Sequence, residues 1–242
     1  MDKKEKVIAI IPAFNEEGKV GTVISRIKQD ASGWIDEILV VDDGSRDNTV
    51  LEARNNQATV ISHKHNRGVG AAMRTGIEYA LKNSYDIAVM IGADNQDNPG
   101  EIKRLLYPII YDHFDFVQGS RYMLGGKVVN IPLFRLVTTR IYSQLFKFIL
   151  GFPVSDGTNG FRAFKLAIFN NKNINIWQPW LDRYELEPYL FYKVNQSNFR
   201  VTESPVTKSY PQDNISYTKM IPVLSWWSIL RPIILLKLGI KN

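Results

Sequence analysis

The chain has 242 residues, 45% of them apolar and 22% charged, a balance that supports a packed globular fold and argues against disorder. It has no cysteine, which excludes disulfides and thiolate metal sites, so any metal must sit on oxygen or imidazole. The net charge of +6 favours anionic partners such as phosphorylated small molecules or an acidic membrane face, and nothing beyond that charge points to nucleic acid.

The first residues, 1–6, are charged and lead straight into a strand pattern. They contain no apolar core of the kind a secretory signal needs, so the expected location is the cytoplasm. Residues 7–11 (VIAII) predict a buried strand closed by Pro12. Residues 17–29 place Val20, Val23, Ile24 and Ile27 at helical spacing. A strand is expected over 38–41, a helix over 48–55, a strand over 59–62, a helix over 70–82 and a strand over 87–91. Such alternation predicts an α/β fold with a doubly wound, mainly parallel sheet and helices on both faces. Ligands bind beyond the carboxyl ends of the strands in such sheets.

The second half changes character. One more strand is expected over 116–119, a long helix over 132–150 and another helix over 185–193. The long helix carries Phe134, Val137, Ile141, Leu145, Phe148 and Ile149 at helical spacing, interspersed with Arg135, Arg140 and Lys147. That stripe faces either a core or a membrane surface. Residues 220–240 are strongly apolar and long enough to span a bilayer, but Arg231, Pro232 and Lys237 interrupt them. Charges at a bilayer centre cost roughly 2.5–3.5 kcal/mol each, so spanning is not expected. Trp226, Trp227, Arg231 and Lys237 suit a segment lying in the interface, or one buried in a homo-oligomer contact. Residues 1–215 therefore read as one domain and 216–242 as an amphipathic C-terminal appendage.

Three polar clusters fall at strand ends. Pro12-Ala13-Phe14-Asn15-Glu16 offers an aromatic face and a carboxylate, which suit a nucleobase, although Asn-Glu can equally cap the next helix. Asp42-Asp43-Gly44-Ser45 can accept from a ribose or base, or form an Asx-type turn. In Gly92-Ala93-Asp94-Asn95-Gln96-Asp97, a carboxylate and an amide oxygen two residues apart can hold a hard divalent cation that also takes diphosphate oxygens. Asn66-Arg67-Gly68-Val69-Gly70 adds a basic turn into a helix, suited to a phosphate or sugar.

PAFNEE, VVDDGSRDNT, NRGVGAAMRTG, ADNQ, GSRY and DGTNGFRAF, in this order over roughly residues 6–210, resemble the inverting family 2 glycosyltransferases of GT-A fold. The likeness is greatest to the dolichyl-phosphate mannose synthase and polyprenyl-phosphate glycosyltransferase branch. It implies a UDP- or GDP-linked sugar donor bound by Pro12, Ala13, Phe14, Glu16, Asp42, Asp43, Gly70, Ala93, Asp94 and Asn95. Mg²⁺ or Mn²⁺ would sit on Asp94 and Gln96. Arg121, Arg135 and Lys208 would face the acceptor phosphate, with Asp94, Arg121 and Arg135 as the catalytic set. One departure is visible: Gly92 stands where the family usually has an acid.

The resemblance implies a single displacement at the anomeric carbon, on a polyprenyl phosphate that needs no strong general base, at the cytoplasmic face of a membrane. Two other readings remain open. A sugar-hydroxyl acceptor would need a base, for which Asp156, Asp182, Glu185 and Glu187 are the available acids, Glu187 reading as structural. A non-catalytic nucleotide-sugar binding protein is the third, prompted by Gly92 and opposed by the intact ADNQ and GSRY.

Overall fold

The computed structural model describes residues 5–152, 154–211 and 224–241. Its first strand, β1 (Val7–Ala13), sends Ile8 and Ile10 into one core and Val7, Ala9 and Ile11 into another. A central strand with helices on both faces requires this alternation of apolar side chains. The elements that follow are α1 (Val20–Asp30), β2 (Glu37–Asp42), α2 (Thr49–Asn55), β3 (Thr59–Ser62), α3 (Val69–Lys82), β4 (Ile87–Met90), α4 (Ile102–Ile110) and β5 (Phe116–Ser120). Then come β6 (Lys127–Val129), α5 (Leu133–Leu150), β7 (Arg162–Lys165), α6 (Leu186–Gln196), β8 (Val201–Pro205), β9 (Thr207–Ser209) and α7 (Leu224–Lys237).

The main sheet runs β3-β2-β1-β4-β7-β5-β8, with β7 antiparallel to both neighbours and every other pairing parallel. Strand order reverses between β1 and β4, which opens the crevice where such sheets bind ligands. The α1 positions Val20, Val23, Ile24 and Ile27 pack on one face, together with Leu105 and Ile109 of α4. On the other face α3 lies close to β1, because a Cβ at Gly76 would come within 2.4 Å of Ile10 Cγ2.

The long helix α5 ends at Gly151, whose φ of +66° makes a left-handed cap. Its inner face is carried by Tyr142 and Phe146, the latter stacked on Phe191 with ring centroids 5.3 Å apart. Most of the apolar stripe read from the sequence faces outward, with Phe134, Val137, Ile141 and Phe148 70, 47, 63 and 84% exposed, while Ile149 packs against the core. The inner face is hidden from a hydropathy reading because it includes Thr139 and Ser143. Their hydroxyls are satisfied by the helix itself, donating to Arg135 O at 2.7 Å and Thr139 O at 2.9 Å.

Helix α7 is seated on the domain. Ile233 and Leu236 join the core, and Tyr142 donates to Ile229 O at 3.2 Å. The buried Glu185 carboxylate accepts from Ser228 and from Arg231. Residues 216–223, the start of the predicted appendage, lie outside the described residues, as does the side chain of Trp226. Among the described residues no helix is long and apolar enough to cross a membrane.

Candidate active site

The loops after β1, β2 and β3 are tied together before any ligand arrives. Asn15, at φ 52°, donates its N–H to Ser45 Oγ at 2.9 Å and accepts from Arg46 N at 2.9 Å through its side chain. Glu16 N donates to Thr49 Oγ1 at 2.8 Å. Asp43 is the hub, accepting from His63 Nδ1 at 2.7 Å, Arg67 N at 2.9 Å and Gly68 N at 2.7 Å. Its neighbour Asp42 turns away and accepts from Ser45 N at 3.0 Å, the Asx-type turn foreseen as one option.

These loops form one end of a cavity of about 530 Å³ at the carboxyl edge of the sheet. Pro12, Ala13, Phe14, Glu16 and Asp43 line that end, Ala93, Asp94 and Gln96 line the middle, and Arg121, Arg135 and Lys208 also face in. Of the residues expected to bind donor, Asp42, Gly70 and Asn95 are not in the lining. Asn95 is exposed at φ 58°. Gly70 has a packing role, since a Cβ there would lie 2.1 Å from Leu181 O and push away the chain that forms a further wall. That wall brings Arg183, Tyr184 and Glu187 to the cavity, and Ile229 of α7 closes another side. No motif in the sequence marked these residues as a group.

The basic end is built from pairs of unequal kind. Arg121 is 5% exposed and fixed by Asp156, with Nε to Oδ2 at 2.6 Å and Nη2 to Oδ1 at 2.8 Å. Nη1 donates to Tyr210 Oη at 2.9 Å and Nη2 also reaches Thr158 Oγ1. Four of its five N–H groups are therefore taken within the protein. Burial opposes its charge, but Asp156 outweighs burial and raises the guanidinium above its ordinary value. In the partner, burial by itself would raise the carboxyl; Arg121 holds it below the usual carboxylate range. The Asp156 loop is in turn clamped by Glu203, which accepts from Ser155 N and Asp156 N at 2.9 and 3.0 Å.

Lys208 reaches both oxygens of Asp97 at 3.0 Å, and the strand carrying it is pinned by Ser209 N donating to Gln96 O at 2.8 Å. Burial disfavours its charge, yet the Asp97 and Asp94 carboxylates raise the ammonium above the ordinary lysine value. Arg135 of α5 sits over the Tyr210 ring with its Cζ 5.3 Å from the centroid.

The middle of the cavity suits a divalent cation. Asp94 and Gln96 supply a carboxylate and an amide oxygen, and Asp94 Oδ1 is oriented by Gln96 N at 3.1 Å. A Cβ at Gly92 would lie 3.1 Å from that same oxygen, so the glycine keeps the space beside it clear. Among the described residues no group of three or more His, Asp or Glu side chains stands ready to hold a metal. The donor set therefore fits Mg²⁺ or Mn²⁺ bound jointly with substrate phosphates, in the way such ions commonly bind.

A family model described as glycosyl transferase family 2 matches residues 8–171. The chain belongs to that family. A UDP-N-acetylglucosamine–dolichyl-phosphate N-acetylglucosaminyltransferase of Methanococcus voltae is 31% identical over 252 residues, covering 96% of each chain. A polyprenol monophosphomannose synthase of Mycolicibacterium smegmatis is 28% identical over 222 residues, covering 89% of this chain and 81% of the relative. Among solved structures, glucosyl-3-phosphoglycerate synthase from Mycobacterium tuberculosis, in complex with Mn²⁺, UDP and phosphoglyceric acid, superposes with a TM-score of 0.72. At 20% identity over 99% of this chain and 80% of that one, it establishes the GT-A fold. This family 2 member is thus a glycosyltransferase.

Proposed function

We propose that this glycosyltransferase moves a sugar from a UDP- or GDP-linked donor to the phosphate of a polyprenyl lipid, working peripherally at the cytoplasmic face of a membrane. The observation that carries the reading is the set of cations the cavity gathers, beside candidate bases of which three are engaged away from it. Asp156 is locked to Arg121, Asp182 pairs with Arg74, and Glu185 is buried under Arg231. Glu187 gives Oε1 to Arg162 and is the one of the four that lines the cavity. A sugar-hydroxyl acceptor needs a free base, whereas a phosphate needs cations, and the cavity gathers Arg121, Arg135 and Lys208. The names of the Methanococcus and Mycolicibacterium relatives agree with a lipid-phosphate acceptor.

In the reaction, an oxygen of the acceptor phosphate attacks the anomeric carbon while the bond from that carbon to the donor diphosphate breaks. Arg135 and Lys208 hold the acceptor anion and offset its repulsion from the diphosphate, and Arg121 shapes the pocket through Asp156 and Tyr210. Phe14, Glu16 and Asp43 take the nucleoside. Asp94 and Gln96 would hold the cation, which when bound supplies Lewis-acid neutralisation of the departing diphosphate. Nucleoside diphosphate should be released from a matching donor only when both a divalent cation and a polyprenyl phosphate are added. Equal release with a free sugar in place of the lipid would transfer the assignment to the hydroxyl-acceptor reading.

The membrane part rests on α5. The helix that brings Arg135 and Thr139 to the cavity presents Phe134, Ile141 and Phe148 to the outside, with the basic Arg140 and Lys147 exposed among them. An apolar stripe of this size flanked by cations suits insertion into the headgroup region of an anionic bilayer, and it sets the cavity beside the lipid phosphates. Trp227 and Leu238 of the C-terminal segment, 56 and 66% exposed, add to the same chemistry. Ile141→Glu with Phe148→Glu should abolish co-sedimentation with phosphatidylglycerol vesicles and leave nucleotide binding unchanged. Undiminished sedimentation of that variant, or an intact chain that stays in solution as a dimer, would contradict the membrane reading.

A further inference from the structure

Two of the buried arginines among the described residues, Arg121 and Arg162, have carboxylate partners that are built differently. Asp156, the partner of Arg121, is fully buried and accepts from Arg121 Nε, Nη2 and N and from Thr158. Its accepting capacity is used inside the protein. Glu187, on α6, is the partner of Arg162, which is itself 1% exposed on β7. Arg162 Nη2 donates to Glu187 Oε1 at 3.2 Å and Nη1 to Glu187 O at 3.3 Å. Among the described residues no hydrogen bond reaches Oε2, and the side chain, 24% exposed, lines the cavity. Gly160 makes the position possible, since a Cβ there would come within 2.9 Å of Oε1.

We infer that Glu187 binds hydroxyl groups of the hexose carried by the donor and so helps set which sugar is transferred. The inference rests on the donor reading proposed above. A counter-ion needed only for Arg162 would be most stable closed off and fully bonded, as Asp156 is, because a half-used carboxylate beside a cavity gives up solvation without replacing it. Facing the cavity, Glu187 repels phosphate, so neither the diphosphate nor the acceptor headgroup is its ligand. In the donor reading the nucleoside is taken by Phe14, Glu16 and Asp43, which line the same cavity. The neutral, hydroxyl-rich hexose is the remaining part of the donor, and a carboxylate oxygen with open lone pairs accepts from such hydroxyls. Beside it, burial together with the Glu187 charge raises the Tyr184 phenol, which stays protonated and able to donate to a sugar oxygen.

Calorimetry on wild type and Glu187→Gln, with Mn²⁺ present, separates a sugar contact from a packing role. The probes are UDP and GDP, then UDP-glucose, UDP-N-acetylglucosamine and GDP-mannose. Glutamine keeps an oxygen for Arg162 and replaces the open acceptor with a donor. The variant should bind the preferred sugar nucleotide about tenfold more weakly, while its affinity for the matching diphosphate changes less than about twofold. Equal weakening of both, or no weakening of either, would overturn the inference. Should the variant not fold, deoxy analogues of the preferred donor on the wild-type protein serve instead. One hydroxyl position should then cost about tenfold, and uniform binding across the series would overturn the inference. If wild type binds none of the five nucleotides, it is the donor reading that fails.

Discussion

Replacing Arg121 with alanine should destabilise the protein by about 3–5 kcal/mol, because it strands the fully buried Asp156 carboxylate without its counter-charge. For a chain of this size that corresponds to a fall of roughly 10 °C in thermal midpoint. Arg135→Ala should cost less stability than Arg121→Ala, since it removes a contact over the Tyr210 ring and leaves the Arg121–Asp156 pair in place. Both variants should lose transfer, for different reasons: Arg121→Ala by loosening the pocket, Arg135→Ala by losing a contact to the acceptor. Thermal melts with donor calorimetry tell them apart. If Arg121→Ala melts like wild type, its role is that of a surface phosphate ligand. If Arg135→Ala loses donor affinity, that arginine belongs to the diphosphate.

Asp94→Ala should reduce transfer on the order of a thousandfold, the scale of several kcal/mol that a bound cation supplies to a departing diphosphate. Folding should survive, because among the described residues the side chain accepts one hydrogen bond, from Gln96 N at 3.1 Å. Metal titration followed by turnover checks both halves. Near-normal, metal-dependent activity in the variant would remove Asp94 from the cation site.

The parallel half of the fold was legible because its strands are short apolar runs and its helices have a 3.6-residue period; β1, β2, β4 and α3 fall within a residue or two of expectation. Strand β7 was not, since RAFK hides a buried Arg162 inside a strand and breaks the hydropathy signal. Strands β8 and β9 carry Glu203 and Lys208, whose partners are distant in sequence: Glu203 accepts from the N–H groups of Ser155 and Asp156, and Lys208 pairs with Asp97. The site divides along the same line. Phe14, Asp43, Asp94 and Gln96 sit in local strand-end motifs and reach one cavity. Asp42 and Gly70 sit in the same motifs but serve a turn and a close helix approach, which neighbouring residues alone do not reveal. Glu187 and Tyr184 enter the cavity through long-range packing onto Arg162 and onto the start of α3, and no local pattern records that.

The central claim is that the acceptor atom is a phosphate oxygen of a lipid. Mass analysis of the lipid product from a radiolabelled donor, undecaprenyl phosphate and Mn²⁺ tests it most directly. The predicted result is a lipid heavier by one hexosyl residue, joined through its phosphate and released as free sugar by mild acid, with no product when EDTA replaces the cation. A label found on a saccharide hydroxyl, with the lipid phosphate left unmodified, would contradict it.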